Sequence, residues 1–146
     1  MKLDVCENDK ISNILVLTHG NWGEELIKSA KMIAGGFENV NAVALNPKDT
    51  FNDYLIKVKE ILSASSGKTL IIADLFGGTP SNIAALLSRE YDIVALSGLS
   101  LSMLIEAIFN KDNINSVQMA DVVLNAGKDN CKDIIKMINK NENASK

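Results

Sequence analysis

The chain has 146 residues, 15 Lys+Arg against 18 Asp+Glu, 47% hydrophobic residues and a formal net charge of -3. That is enough apolar side chain for one compact domain without disulfide or metal staples, and the ordinary charged fraction excludes an intrinsically disordered chain. An acidic balance with no cluster of Lys or Arg also leaves no electrostatic footprint for nucleic acid or an anionic membrane surface.

Residues 1–13 (MKLDVCENDKISN) read as a polar leader, lacking the basic start and long apolar run of a signal peptide. No segment approaches the ~18 consecutive apolar residues of a membrane span, so a cytoplasmic protein is expected. Residues 14–139 are then the single domain, and 140–146 a fraying tail rich in Lys and Asn.

Ile14 to Thr18 is a short apolar run that reads as a strand buried on both faces, ending in His19-Gly20. A helix follows from about Trp22 to Ala34, with Leu26, Ile27, Ala30, Ile33 and Ala34 at helical spacing and Gly35-Gly36 as its stop. Val40 to Leu45 is the second strand. Asn46 to Asp49 makes a turn with Asp49 or Thr50 as N-cap, and Phe51, Leu55, Val58, Ile61 and Leu62 give the second helix its apolar face. Thr69 to Asp74 is the third strand. The loop Leu75 to Gly78 delivers Thr79 as N-cap and Pro80 as first helical residue of a helix running to about Arg89. Asp92 to Leu96 is the fourth strand, and a helix spans Ser100 to Phe109. From Ser116 to Asn139 the pattern is helical again, with Gly127 as the point where it would bend or split.

Strands alternating with helices specify an α/β fold with a parallel sheet and helices on both faces. The expected order of its four strands is 2-1-3-4, a doubly wound sheet whose switch point lies between strands 1 and 3.

Ligands of such sheets bind beyond the carboxyl ends of the strands at the switch point, and here those ends are His19 and Asp74. Adjacent strands lie about 4.8 Å apart, so the two side chains can meet. His19 is the only histidine, so any imidazole chemistry must use it and a multi-histidine metal site is impossible. A carboxylate bonded to one ring nitrogen would leave the other with a free lone pair. Gly77-Gly78-Thr79-Pro80 lets backbone N–H groups approach a ligand at a helix start, and Thr79 adds a hydroxyl, which makes an anion site. A histidine nucleophile, an orienting carboxylate and an anion-holding loop describe a residue that accepts a phosphoryl group on nitrogen.

Each part has a plainer reading on its own. A histidine after a strand is commonly a hydrogen-bonded turn residue, Asp74 could cap the Gly77-Gly78 turn, and Gly-Gly-Thr-Pro is a good strand-to-helix connection. Trp22 reads more readily as a helix-packing residue than as a recognition residue. Cys6 and Cys131 are too far apart in sequence for a redox pair or half a zinc site, and are expected reduced, packed or in solvent. It is the coincidence of His19 and Asp74 at the two tips that favours chemistry.

The segments Leu17-Thr18-His19-Gly20, Ser29 to Ile33, Glu38-Asn39-Val40 and above all Asp74-Leu75-Phe76-Gly77-Gly78-Thr79-Pro80-Ser81-Asn82 carry a resemblance spanning roughly residues 13 to 138. They resemble the enzyme IIA component (EIIA) of the mannose/fructose/sorbose family of the bacterial phosphoenolpyruvate-dependent sugar phosphotransferase system (PTS). The resemblance implies that His19 takes a phosphoryl group from the phosphocarrier protein HPr and passes it to a IIB component during sugar uptake through membrane IIC and IID components. It implies phosphorylation on Nε2, an Asp74 bond to Nδ1, and Gly77, Gly78 and Thr79 on the phosphoryl oxygens, with no cofactor or metal. It also implies a homodimer, often with a C-terminal strand exchanged to give a fifth strand, and a IIB partner on a separate chain. One departure stands out: Ser100-Leu101-Ser102-Met103-Leu104 replaces the family's usual Asn-x-Pro-Met-Leu after strand 4. The leader has no counterpart either.

Other classes fit less well. A response-regulator receiver needs an acidic pair after strand 1, where this chain has Thr18-His19-Gly20. A histidine phosphatase normally places an arginine before its histidine, and the only arginine here is Arg89. One Trp, two Tyr and four Phe with no G-x-G-x-x-G argue against a flavin or nucleotide module. Within the family, a phosphotransfer subunit of a dihydroxyacetone kinase is the alternative, and the Asp-Leu-Phe-Gly-Gly-Thr-Pro wording favours sugar transport.

Overall fold

The computed structural model describes residues 9–144; Cys6, most of the expected leader and the last two residues of the tail lie outside these. Four parallel strands, β1 (Ile11–His19), β2 (Val40–Leu45), β3 (Lys68–Ala73) and β4 (Ile93–Ser97), form one sheet in the order β2-β1-β3-β4. The helices are α1 (Trp22–Ala34), α2 (Phe51–Ala64), α3 (Thr79–Leu87), α4 (Leu101–Asn110), α5 (Ser116–Asp129) and α6 (Ile134–Ala144). No helix among the described residues is long and apolar enough to cross a membrane.

Because successive side chains of a strand point to opposite faces, the unbroken apolar runs of β1 and β3 supply two cores at once. Ile11, Ile14, Val16, Leu70 and Ile72 meet Ile27 and Ala30 of α1, Met103, Leu104 and Ala107 of α4, and Met119 and Val123 of α5. On the other face, Leu15, Leu17 and Ile71 meet Tyr54, Val58 and Leu62 of α2 and Ile83, Ala84 and Leu87 of α3. The chain thus leaves β1 across one face and β2 across the other, which opens a crevice between the tips of β1 and β3.

Several boundaries differ from expectation. β1 begins at Ile11, inside the expected leader, because a bulge between Ile11 and Asn13 lets Ile11 pair with Lys68. Lys68 also holds Asp9 at 3.0 Å, and Asp9 accepts from Ser116 at 2.9 Å. The N-cap of α2 is Thr50, whose hydroxyl accepts from Asp53 N–H while the Asp53 carboxylate accepts from Thr50 N–H. Phe51, expected on the apolar face, is exposed, and Tyr54 is buried in its place.

The expected last helix is two helices, and the break falls at Asn130 to Asp133 rather than at Gly127. Gly127 stays inside α5, and its missing side chain makes room for α4: a Cβ on it would lie 2.8 Å from Met103 Cγ. Asp133 caps the restart, its carboxylate accepting from Lys136 N–H at 3.0 Å. No residue of α6 is buried. Ser100 of the departing Ser-Leu-Ser-Met-Leu stretch N-caps α4, its hydroxyl accepting from Met103 N–H.

Candidate functional site

His19 is the last residue of β1, and Asp74 follows the last residue of β3. The ladders continue past both ends: Gly20 N–H donates to Leu45 C=O at 2.8 Å, and Asp74 N–H to Leu17 C=O at 3.0 Å. The sheet itself therefore fixes the two backbones side by side.

Their side chains meet. His19 Nδ1 lies 3.0 Å from Asp74 Oδ2 and 3.2 Å from Oδ1, and His19 N–H donates to Oδ2 at 2.7 Å. A carboxylate can only accept here, so Nδ1 is the donor, and in the neutral imidazole Nε2 is left with its lone pair. The Asp74 side chain is only 9% exposed whereas that of His19 is 49% exposed, so the carboxylate is sheltered and the imidazole is open.

The loop after β3 closes against the same ring. A Cβ on Gly78 would lie 2.9 Å from His19 Cε1 and 3.4 Å from Nε2, so only a bare backbone fits. Gly77 holds a left-handed φ of 85. The N–H groups of Gly78, Thr79 and Ser81 find no acceptor among the described residues, and the Thr79 hydroxyl makes no hydrogen bond among them. Unpaired amides at the start of α3 attract an anion, so the loop can hold phosphoryl oxygens beside Nε2.

Two local expectations need correction. Gly78, in extended conformation, is the N-cap of α3, and Thr79 and Pro80 belong to its first turn. The hydroxyl that ties down this loop is that of Ser81: it accepts from Gly77 N–H at 2.9 Å and donates to Gly78 C=O at 3.0 Å. With the loop already held, no Thr79 cap is needed, and the Gly77 amide is occupied rather than free for a ligand.

On the β2 side, a cavity of about 290 Å³ is lined by His19, Gly20, Leu45, Asn46, Pro47 and Asp49. The Lys57 ammonium, 2.7 Å from Asp49, and the Asn46 amide hold the Asp49 carboxyl below the usual carboxylate range. Tyr54 is fully buried behind the site and donates to Val43 C=O at 2.8 Å. Burial, with the charges of Asp74 and Asp49 adding to it, pushes its phenol far above the ordinary value, so it stays a neutral donor. The spacing of Tyr54 from Val58 and Leu62 was the available signal for its burial. Around the loop, Leu75 is 59% and Phe76 86% exposed, and Trp22 at the start of α1 is 40% exposed rather than fully packed. The described residues hold no group of three or more His, Cys, Asp or Glu that could bind a metal ion. Cys131 is exposed.

A family model described as "PTS system fructose IIA component" matches residues 13–124. The chain belongs to the EIIA proteins of the mannose/fructose/sorbose PTS family. The sorbose-specific EIIA component of Lacticaseibacillus casei is 32% identical over 110 residues, which are 73% of this chain and 78% of that protein. The mannose-specific EIIAB component of Escherichia coli K12 is 26% identical over 125 residues, 82% of this chain but 38% of that longer protein. Among solved structures, a PTS EIIA from Streptococcus agalactiae superposes with a TM-score of 0.79 at 30% identity, covering 85% of this chain and 98% of its own. The mannose/sorbose IIA subunit from Enterococcus faecalis gives 0.79 at 28%, covering 84% and 94%. This EIIA is accordingly a sugar phosphotransfer component of a PTS.

Proposed function

We propose that this EIIA is a cytoplasmic phosphoryl carrier in which His19 accepts the phosphoryl group of phospho-HPr and donates it to a IIB component during sugar uptake. The observation that carries the reading is the Asp74 carboxylate on His19 Nδ1, which leaves Nε2 on the open side of the ring, next to Gly78.

In the forward step the Nε2 lone pair attacks phosphorus while the bond from phosphorus to the nitrogen of HPr breaks, and that nitrogen keeps the electron pair. Asp74 retains the Nδ1 proton in its hydrogen bond and stabilises the positive charge that grows on the ring. The amides of Gly78 and Thr79 and the Thr79 hydroxyl receive the equatorial oxygens, so the protein contributes positioning and charge stabilisation. Transfer to IIB reverses the geometry. Exposed Leu75 and Phe76 beside the loop supply apolar surface against which a protein donor or acceptor can dock. We also propose a homodimer, as the family resemblance implies.

Incubation with enzyme I, HPr and phosphoenolpyruvate, followed by intact-mass measurement, tests the assignment. One acid-labile phosphoryl group is expected on the wild-type chain and none on His19→Ala; undiminished labelling of the variant contradicts it.

A further inference from the structure

We propose that Ser81 is a positioning residue that aims the phosphoryl-binding amide of Thr79, an inference that rests on the phosphohistidine reading above. Ser81 lies in the first turn of α3, half-buried, and its single hydroxyl serves two backbone groups at once. It accepts from Gly77 N–H at 2.9 Å and donates to Gly78 C=O at 3.0 Å.

The second bond acts at a distance. Gly78 C=O and Thr79 N–H belong to one planar trans peptide, so fixing the direction of the carbonyl fixes the amide on its opposite side. The Ser81 hydroxyl and Asn82 N–H, which reaches the same oxygen at 3.0 Å, together pull the carbonyl toward the helix. Thr79 N–H is thereby turned away from α3 and finds no acceptor among the described residues. The first bond removes the Gly77 amide from the set of anion donors and stabilises the left-handed Gly77 conformation on which the loop's path depends. Because Gly78 rests against the His19 ring, a slack loop would displace both the donors and the imidazole edge.

Without the Ser81 oxygen the loop remains tethered by Asn82 N–H alone. Binding of the partner protein should persist, since the exposed Leu75 and Phe76 are unchanged, while the reacting geometry loosens. Ser81 also borders a cavity of about 370 Å³ with Phe76, Asn82 and Ala85, which leaves room for one additional methyl.

The experiment compares wild type, Ser81→Ala and Ser81→Thr in rapid-quench transfer from phospho-HPr over a range of donor concentrations, with hydrogen exchange of the Gly77 amide. Ser81→Ala is expected to lower the saturating rate roughly 3- to 30-fold with the half-saturating concentration within about twofold, and to speed Gly77 exchange. Ser81→Thr, which keeps the oxygen, should recover most of the rate. A wild-type saturating rate in Ser81→Ala, an equal loss in both variants, or a change confined to half-saturation overturns the proposal. A wild-type chain that takes no phosphoryl group on His19 removes the phosphohistidine reading and this inference together, whereas an active wild type with an unimpaired Ser81→Ala removes this inference alone.

Discussion

Asp74 grips His19 at two points, the backbone N–H and the ring Nδ1, from a nearly buried position. One side chain therefore sets the place and rotamer of the proposed nucleophile and favours the neutral tautomer with the proton on Nδ1. Asp74→Ala removes the orienting bond and the charge that offsets the developing imidazolium, but keeps Nε2. Phosphotransfer should slow by roughly 10- to 1000-fold, on the scale of one oriented charge-assisted hydrogen bond. Asp74→Asn is expected to be impaired as well, because its amide can present NH₂ to the ring and favour the other tautomer. Thr79→Ala should cost less, since the Gly78 and Thr79 amides remain. Rapid-quench transfer decides the ranking: a wild-type rate in Asp74→Ala beside an inactive Thr79→Ala would refute the orienting role. At this scale His19 and Asp74 were legible because each ends a nearly pure apolar run, which marks strand tips without ambiguity. The hydrogen-bond partners of Ser81 and Tyr54 were not, since the partner of a hydroxyl depends on where a loop or a facing strand carries a carbonyl.

The link between β3 and α3 carries the proposed phosphoryl-binding amides. Gly78 has an ordinary extended conformation, φ -85, so alanine would be tolerated by its backbone. What forbids it is the His19 ring, 2.9 Å from the Cβ it would gain. Gly78→Ala should thus unfold within a few degrees of wild type while losing at least about tenfold in transfer rate, because the imidazole or the loop must shift. Parallel melting and transfer measurements check this, and an active Gly78→Ala would place the loop farther from the ring than described. Helix ends were the least legible elements. Gly127 resembles a breaker in sequence, yet its missing side chain serves the crossing with Met103, and the real break lies where Asp133 can recap the chain. Thr79 looked like the cap of α3 by type, but a bare glycine takes that position because backbone must reach the histidine.

The whole molecule brings two strand tips together by winding its helices on opposite faces of the sheet. Strand order was readable because the β-α alternation admits few right-handed topologies, and the switch point follows from the order. Contacts beyond the chain have no such periodic signal. The exposed side chains of Ile134, Ile135 and Ile138 give α6 an uncovered apolar face, in keeping with the proposed homodimer. Light scattering at micromolar concentration should return twice the chain mass, and a monomer mass would contradict it. The proposed chemistry turns on one atom, His19 Nε2. Nitrogen NMR of the ¹⁵N-labelled, phosphorylated protein reads it directly: a phosphorus-coupled Nε2 with a protonated Nδ1 still bonded to Asp74 is expected, and a phosphoryl group on Nδ1, or on no histidine nitrogen, refutes the assignment.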